Sequence, residues 1–357
     1  MGSCVCAHYN KSEPNFREGE LPVKLYQRTC NDTAPMGQPD PFIFFHQGIY
    51  YIYATHVNGV QLYCSRELTG GWQYKGLCFA MEHEKNYWAP ALLEYEGRFY
   101  LYVSTTPAGV TDMHQQSLKV AVAPSPAGPF QAVRELLPPF SIDAHAVLHK
   151  GGLYLFYSVN DEYSSRPGTY IVVDRMLSPL QTEGRPVCVV KPTLDEEIFC
   201  RDRFQKGSHW HTIEGAFYFR CGSTHFLTYS GSAYGKPSYF IGYSVAHGDC
   251  GDLRQLSWHK YPDDHTYRPL LASDASVEGT GHNSILERDG EYWIVYHGRD
   301  RGAPPQQEDS RIMRADRLLI SGDRLCVCRD EGPLCGQRPH PGANFVKNGG
   351  SSPCQSS

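Results

Sequence analysis

The sequence has 357 residues, of which 13% are aromatic and 20% are charged, with 25 Pro and 34 Gly. This length is enough to bury a large core in one or two domains, and the composition is typical of many short strands joined by tight turns. The formal net charge of -5 comes without a basic stripe, which argues against nucleic acid as the main partner. No apolar run reaches the roughly 18 residues that a membrane span needs, so no membrane partner is predicted.

The first part of the chain, residues 1–34, is polar and has no repeated pattern, and it is predicted to be a lead-in segment. Its beginning has no apolar signal core, which predicts a cytoplasmic protein, or a secreted one if a leader has been removed. The 13 cysteines are scattered, without a C-x-x-C pair, and are expected to be thiols in a reducing compartment. Four of them cluster late in the chain with a spacing that fits no usual zinc pattern: Cys326, Cys328, Cys335 and Cys354.

A repeated unit begins near residue 41. In each copy a short apolar strand passes a turn that contains Gly and returns as an aromatic strand with period-two alternation, which is a hairpin pattern. The five copies are PFIFFHQGIYYIYAT (41–55), WAPALLEYEGRFYLYVS (88–104), IDAHAVLHKGGLYLFYS (142–158), IEGAFYFRCGSTHFLTYSG (213–231) and GHNSILERDGEYWIVYHGR (281–299). A further strand follows each hairpin, and a more polar edge segment usually comes after that strand.

Five copies spaced about 50 to 70 residues apart predict a radial repeat. The predicted fold is all-β, a five-bladed β-propeller over residues 35–329 with four strands in each blade. A β-sandwich with irregularly spaced hairpins is the alternative, but sandwich strands do not usually repeat as a whole unit. No 3.6-residue periodicity persists, so few helices are expected. Residues 330–357, rich in Pro, Gly and Ser, are predicted to form an irregular tail.

The residues that begin the repeats are the candidates for a functional site. In a propeller the first strand of each blade lines the central channel, so residues at these starts are expected to meet near the axis. They are Asp40, Trp88, Asp143, Glu214 and His282. A ring face to stack on, together with carboxylates that bind hydroxyls and exchange protons, suits a sugar. Buried carboxylates are costly unless they are paired or used, which favours this interpretation over turn-capping or solvated acids.

The sequence resembles glycoside hydrolase family 43, five-bladed propeller enzymes that cut arabinose- and xylose-containing glycans, over roughly residues 35–325. The matching motifs are Pro39-Asp40-Pro41, Trp88-Ala89-Pro90, Ile142-Asp143-Ala144, Ile213-Glu214-Gly215 and Gly281-His282-Asn283-Ser284. Each motif is short, but five in the same order at equivalent strand starts are specific. The family pattern often has Pro after Glu-Gly, where this chain has Ala216. That departure leaves the acid in place.

The resemblance implies a role for each of the three acids. Asp40 would be the general base that activates water, and Glu214 the general acid that protonates the leaving oxygen. Asp143 would orient Glu214 and raise its pKa, which agrees with the physics of an acid that must stay protonated near neutral pH. Trp88 is predicted to form the floor of the pocket, with plain core packing as the alternative.

Further residues are candidates for supporting roles. The resemblance places His282 on the axis, near a bound calcium or sodium ion or an ordered water, with a satisfied core histidine as the alternative. No cofactor is required for the reaction. Arg299 and Arg311 are candidates to hold sugar hydroxyls or a catalytic carboxylate, or else to form surface or inter-blade ion pairs. Residues 209–211 are predicted to line the rim of the pocket.

The predicted function is an inverting glycoside hydrolase that cleaves terminal arabinosyl or xylosyl linkages of plant-type glycans, as an α-L-arabinofuranosidase or β-xylosidase does. Its expected partner is an oligosaccharide or polysaccharide, and the sequence indicates no oligomeric state. Long segments between blades, such as residues 159–212, would wall off one side of the pocket. An endo-α-1,5-L-arabinanase, a fructan-cleaving propeller enzyme that uses a nucleophile, and a non-catalytic carbohydrate-binding propeller remain alternatives. Three converging carboxylates argue against the last.

Overall fold

The regular structure of the chain is almost entirely β. The computed structural model describes residues 22–29, 32–303 and 309–327. The helical segments within these ranges are single 3₁₀ turns at Met113–Gln115, Asp195–Glu197 and Leu253–Gln255. The predicted all-β class is confirmed. The described residues include no helix long and apolar enough to cross a membrane.

Some predictions fall outside the described residues, namely those for most of the lead-in, for the tail at 330–357 and for three of the four late cysteines. The described end of the lead-in holds strand β1 (Val23–Lys24). This strand pairs antiparallel with Ala315 and Arg314 in the last sheet. A stretch without a sequence pattern therefore contributes an edge to the last sheet.

Five antiparallel units follow one another along the described chain, and each corresponds to one sequence repeat. Unit 1 consists of β2 (Phe42–His46), β3 (Ile49–Ala54), β4 (Val60–Ser65) and β5 (Gln73–Phe79). Unit 2 consists of β6 (Glu84–Tyr95), β7 (Arg98–Pro107), β8 (Ser117–Ala123) and β9 (Gln131–Leu137). In both units, strands that are consecutive in sequence are neighbours in the sheet.

The remaining units carry short additional strands. Unit 3 consists of β10 (Ile142–His149), β11 (Gly152–Asp161) and β12 (Gly168–Ser178), with β13 (Gln181–Thr182) and β14 (Val187–Val190) paired to β12. Unit 4 consists of β15 (Ile198–Cys200), β16 (Trp210–Cys221), β17 (Thr224–Gly231), β18 (Phe240–His247) and β19 (His259–Lys260). Unit 5 consists of β20 (Val277–Arg288), β21 (Glu291–Asp300), β22 (Ile312–Ser321) and β23 (Arg324–Val327). A short parallel pairing of β12 with β16 joins units 3 and 4.

Apolar side chains are buried between successive units. The packing of unit 3 against unit 4 includes Phe156 and Phe240, and similar clusters join units 1 and 2, 2 and 3, and 4 and 5. A further cluster, which contains Ile52 and Val295, joins unit 5 back to unit 1. Full burial of one such side chain stabilises the fold by about 1.5–3 kcal/mol. This order of packing supports the predicted ring, and the number of five blades stays a prediction.

The same bulge interrupts the first hairpin of units 2 to 5. In unit 3, Ile142 pairs with Ser158 and His145 with Phe156, so the first strand has one extra residue. The first residue inside the bulge has a left-handed backbone, and unit 1 has such a residue at the matching place. These residues are Asp40 (φ 56), Ala89 (φ 45), Asp143 (φ 60), Gly215 (φ 66) and His282 (φ 46). Bulges bend a strand and re-aim its side chains, and strained backbone of this kind clusters at functional sites.

The bulge refines the predicted equivalence of the strand starts. Asp40, Asp143 and His282 occupy the left-handed position, whereas Trp88 and Glu214 lie one residue before it. The sequence places all five within the first one or two residues of their repeats, and the structure divides them between two adjacent positions.

Candidate active site

A cavity of about 740 Å³ is lined by residues from the beginnings of the first strands. Four units contribute the residue that precedes the left-handed position: Pro39, Trp88, Ile142 and Glu214. Aromatic side chains supply further walls: Phe140, Phe199, Trp210 and Tyr234. A concave, largely apolar site with a few charged groups is typical of a pocket for a small ligand, such as a sugar ring.

Asp40 is a buried carboxylate surrounded by donors. Thr55 Oγ1 donates to Asp40 Oδ2 at 2.6 Å, and Arg311 Nη1 donates to Oδ1 at 3.3 Å. The backbone N–H of Asp40 donates to His297 Nδ1 at 3.1 Å. Burial alone would raise the pKa of Asp40, but Arg311, His282 and His297 together outweigh it and hold that pKa well below its usual range. Asp40 is therefore ionised near neutral pH.

Glu214 has the opposite protonation behaviour. Its Oε1 accepts a hydrogen bond of 2.8 Å from the hydroxyl of Tyr239. Burial is the largest influence and raises the pKa of Glu214 to about 7, with a contribution from the charge of Asp40, although Tyr239 and Arg311 act to lower it. A carboxyl that remains protonated near neutral pH can donate its proton to a leaving group.

Asp143 is also buried, and it contacts the chain next to Glu214. Its Oδ2 accepts from the backbone N–H of Gly215 at 3.0 Å. Burial raises the pKa of Asp143, and the carboxyls of Glu214 and Asp40 raise it further. Asp143 thus holds the backbone that carries Glu214. The elevated pKa of Glu214 itself arises from burial and Asp40, so the predicted influence of Asp143 on that pKa stays a prediction.

His282 lies beside Asp40, below the cavity. Its Nδ1 is 3.6 Å from Asp40 Oδ1, and burial lowers the pKa of His282 despite the opposing influence of Asp40. Gly215 lies over this imidazole, and a Cβ there would be 3.1 Å from His282 Nδ1. The left-handed glycine therefore allows a close approach between units 4 and 5 that a side chain would obstruct.

A small space of about 10 Å³ lies next to this histidine and is lined also by Asp40, Asp143 and Asn283. The buried Oδ1 of Asn283 has no hydrogen-bond partner among the described residues. A space of this size accommodates about one water molecule. Within the described ranges no group of three or more His, Cys, Asp or Glu is arranged to hold a metal. Asp40, Asp143 and Asn283, which line the space, carry side-chain oxygens of the kind that Ca²⁺ prefers.

The two predicted arginines have different positions. Arg311 lines the cavity, binds Asp309 through Nε and Nη2, and places its guanidinium 4.9 Å from the ring centroid of Tyr234. Arg299 is not among the described residues that line the cavity. Its Nη1 donates to the backbone carbonyl of Tyr234 at 2.9 Å, and its Nε lies 3.7 Å from Glu278 Oε1. Arg299 therefore supports the cavity wall through Tyr234, and its predicted contact with a sugar stays a prediction.

The aromatic predictions are placed as follows. Trp88 is half-buried and lines the cavity. Of the predicted rim residues 209–211, Trp210 lines the cavity. His209 Nδ1 accepts from the backbone of Asp202, and His211 lies within hydrogen-bond distance of Arg166. These two histidines thus stabilise the neighbouring segment.

Four residues of the site were not found from the sequence: Thr55, Tyr239, His297 and Asp309. A signal existed for two of them, since the hairpin places the end of the second strand opposite the start of the first. Thr55 donates its backbone N–H to Pro39, and His297 pairs with Gly281. Tyr239 has no repeat signal, but a Cβ on Gly281 would lie 1.8 Å from its ring. The glycine therefore provides the space that the ring occupies.

Comparison with known proteins adds an independent finding. A sequence model of Glycosyl hydrolases family 43 matches residues 31–323. The chain is 25% identical over 247 residues to Alpha-L-arabinofuranosidase 43 of Humicola insolens, covering 66% of this chain and 48% of that protein. It is 25% identical over 283 residues to the extracellular exo-alpha-(1->5)-L-arabinofuranosidase of Streptomyces chartreusis, covering 73% and 79%. The chain thus spans about half the length of the Humicola protein.

Solved structures give the same picture of the fold. A thermostable family-43 glycoside hydrolase is similar with a TM-score of 0.69 at 27% identity, covering 86% of this chain and 97% of that one. The α-L-arabinofuranosidase of Lactobacillus brevis has a TM-score of 0.66 at 21% identity, covering 80% and 92%. An endo-arabinase of Bacteroides thetaiotaomicron has a TM-score of 0.62 at 22% identity, covering 86% and 99%. At these identities the last two comparisons concern the fold alone.

Proposed function

The chain belongs to glycosyl hydrolase family 43, and from that premise we propose that it hydrolyses terminal arabinosyl or xylosyl linkages of glycans with inversion of configuration. The observation that carries the proposal is that two buried carboxyls of the site have opposite protonation states near neutral pH. Asp40 is held ionised, whereas the pKa of Glu214 is raised to about 7. Two titratable groups whose environments separate their pKa values are the signature of an acid and a base.

The proposed reaction is a single displacement. A water molecule between Asp40 and the anomeric carbon loses a proton to Asp40 as its oxygen bonds to that carbon. The bond from the anomeric carbon to the glycosidic oxygen breaks, and Glu214 gives its proton to the leaving oxygen. Proton exchange with solvent then restores both groups. Asp40 is a weak base because its pKa is low. Proton transfer to it is therefore most favourable late in the displacement, when the attacking water has begun to bond to the anomeric carbon and carries positive charge.

The surrounding residues fix the two groups for this chemistry. Thr55 accepts a hydrogen bond from the Ala89 backbone at 2.7 Å while it donates to Asp40, so it links units 1 and 2 at the base. Asp143 holds Gly215 and with it the strand that presents Glu214. Such positioning lowers the activation barrier, because the catalytic groups are already oriented and lose little conformational entropy when the substrate reacts.

The choice of a terminal pentose rests on two supports. The two curated relatives described above are named as arabinofuranosidases, and one of them as exo-acting. The cavity of about 740 Å³ has the size of a pocket for a small ligand. An endo-arabinanase needs a cleft open at both ends, and among the described residues no contact favours that alternative. A carbohydrate-binding propeller would not need three buried acids.

No cofactor is needed for the proposed reaction. The space beside His282 and Asn283 is suited to one water or one monatomic cation, whose role would be to support the floor of the site. None of the proton transfers depends on such an occupant, because Asp40 and Glu214 supply both.

Hydrolysis assays with chromogenic α-L-arabinofuranosides, β-xylosides and β-fructosides test the proposed function. We expect turnover of a pentoside and none of the fructoside. Product sizing on debranched arabinan or linear xylan should show single pentoses from the first minutes. Early mixed oligosaccharides would contradict terminal cleavage, and inactivity on every pentoside would contradict the proposed function.

A further inference from the structure

Two loops from different units meet at one side of the cavity. His114 lies in the connection between β7 and β8 of unit 2, and Arg203 lies in the turn between β15 and β16 of unit 4. Arg203 Nη2 is 2.9 Å from His114 Nε2. Both side chains line the cavity, as do their neighbours Met113 and Trp210. This contact, the Arg203–His114 bridge, is separate from the acids of the catalytic proposal.

The hydrogens of the bridge follow from its partners. His114 Nδ1 is 2.8 Å from Asp112 Oδ1, so Nδ1 carries the proton and donates to the carboxylate. The lone pair on His114 Nε2 then accepts from the guanidinium of Arg203. That guanidinium also lies 4.4 Å from the ring centroid of Trp210. The arginine is therefore held by a charge-assisted hydrogen bond and by a cation–π contact.

The unit 2 side of the bridge has its own support. Asp112 Oδ1 also accepts from the backbone N–H of His114 at 2.9 Å, which fixes the short 3₁₀ turn. Gln116 Nε2 donates to the carbonyl of Asn86, a cavity residue, at 3.1 Å. These bonds hold the imidazole toward the cavity rather than leaving it on a freely moving loop.

The unit 4 side is anchored more deeply. The Arg203 N–H donates to Ser208 O at 2.9 Å across the tip of the turn. At the root of the same segment, the fully buried Glu197 pairs with the buried ammonium of Lys260 and accepts from the backbone N–H groups of residues 193 and 194. Lys236 Nζ donates to the carbonyl of Phe199 at 3.0 Å. A buried charge pair is costly to break, so this segment has a fixed position.

Unit 3 lies between the two loops in the order of the units. Its residues Ile142, Asn160 and Thr169 line the same cavity. A glycan chain that continued across unit 3 would therefore have to pass through the bridge. We propose that the Arg203–His114 bridge closes the cavity on the unit 3 side and restricts the substrate to the ends of chains. This inference rests on the proposed glycosidase function and assigns its terminal specificity to two residues.

The sequence predicts such a wall from long segments between blades, such as residues 159–212. Much of that range is instead regular structure of unit 3, from the end of β11 through β14. The wall is formed by the later part, with Phe199, Arg203 and Trp210 facing the cavity. The closing contact also needs the unit 2 loop, which no motif marked.

The test uses the full chain and a linear arabinan or xylan labelled at its reducing end, whichever polymer the wild type hydrolyses. The variants are Arg203→Ala, His114→Ala and His114→Gln, with Lys206→Ala as the matched control. Lys206 is exposed on the same turn as Arg203, so its removal changes the charge without touching the bridge. The measured quantity is the ratio of internal cuts to released monosaccharide, which does not depend on total activity.

We expect Arg203→Ala and His114→Ala each to raise this ratio by about fivefold. Either change removes the hydrogen bond to a charged group that closes the cavity on the unit 3 side, so a continuing glycan chain could pass. His114→Gln, which retains an acceptor oxygen, should restore most of the wild-type ratio, and Lys206→Ala should match the wild type. If the wild type releases monosaccharide and the alanine variants have the same ratio as the wild type, the proposed role of the bridge is overturned. The proposed function is then left intact. Failure of His114→Gln to restore the ratio would also overturn the role of the bridge. A wild type inactive on all pentosides would instead refute the function on which the bridge depends.

Discussion

The hydroxyl of Tyr239 donates to Glu214 at 2.8 Å, and the same ring stacks on His297 with the centroids 5.8 Å apart. His297 Nδ1 in turn accepts from the backbone N–H of Asp40. One tyrosine–histidine pair therefore connects the proposed acid in unit 4 with the proposed base in unit 1. Neither aromatic residue needs to touch the substrate to influence both proton transfers.

The first prediction concerns the pH dependence of Tyr239→Phe. The hydrogen bond from Tyr239 lowers the pKa of Glu214, so its loss should raise that pKa. Glu214 acts as an acid only while protonated, so kcat/KM of the wild type should fall as pH rises through about 7. In Tyr239→Phe this alkaline limb should move to higher pH. Profiles of kcat/KM against pH measure the shift. Tyr163→Phe is the control, because Tyr163 is 96% exposed. A limb that moved to lower pH would contradict the assignment.

The second prediction separates the acid from the base by the leaving group. Glu214→Gln should lose about 10²–10⁴-fold in kcat on natural glycans, whose leaving oxygen needs a proton. An aryl pentoside with an acidic phenol needs no such proton, so the loss there should be much smaller. Asp40→Asn should lose activity on both substrates, because water must be activated in either case. Equal losses for Glu214→Gln on both substrates would mean that Glu214 is not the acid.

The sequence located the acids because the repeat marks the start of each first strand. Alternation and the Gly turns fix where a hairpin begins, and a charged residue there has few structural reasons to exist. The repeat pattern places the five residues within the first one or two positions of each copy, but it does not reveal the bulge that separates Trp88 and Glu214 from the position that follows them. The bulge depends on register between strands, which the sequence of one strand does not contain.

The supporting residues of the site were harder to predict, for a related reason. Tyr239 and Asp309 precede strands at places where the repeats differ in length and composition. Their roles arise from contacts between units, such as the bond from Tyr239 to Glu214. Thr55 could have been found by pairing the ends of each hairpin, because it lies opposite Pro39.

The third prediction concerns stability. A carboxyl whose folded pKa exceeds its unfolded value contributes stability that is present below the unfolded pKa and is lost as pH rises through the folded pKa. For Glu214 that window runs from 4.5 to about 7. Glu214→Gln has no such dependence, so its free energy of unfolding relative to wild type should increase between pH 5 and pH 8 by up to about 3 kcal/mol. Urea unfolding of both proteins at the two pH values measures this.

A matched control for that experiment is Glu162→Gln, since Glu162 is exposed. It should leave the difference between the two pH values unchanged. If Glu214→Gln behaved like this control, the buried carboxyl would not have the raised pKa on which the acid role depends.

The fourth prediction concerns metal removal. Dialysis against a chelator should leave the pH profile of kcat/KM in place, because the proton transfers belong to Asp40 and Glu214. If one cation occupies the space beside His282, its loss should lower thermal stability or raise KM rather than abolish turnover. Metal analysis before and after dialysis accompanies the assay. Stoichiometric zinc bound through the late cysteines, with activity that depends on it, would contradict the prediction.

The last prediction concerns stereochemistry. The two proposed groups come from units 1 and 4, and their hydrogen bonds within the described residues go to other partners, Asp40 to Thr55 and Arg311 and Glu214 to Tyr239. A water that attacks between Asp40 and the anomeric carbon needs a carboxyl separation of about 6.5–9.5 Å, against about 5–5.5 Å for a retaining pair.

Attack by this water in one step gives a product of inverted anomeric configuration and no covalent intermediate. Proton NMR of the sugar released in the first minutes, before mutarotation, reads the configuration directly. A first-formed product with the configuration of the substrate, or a glycosyl ester trapped on Asp40, would mean that Asp40 is a nucleophile. Arg311 and Thr55 bind the two oxygens of Asp40 and keep it ionised, which both roles require, so the configuration of the product decides between base and nucleophile.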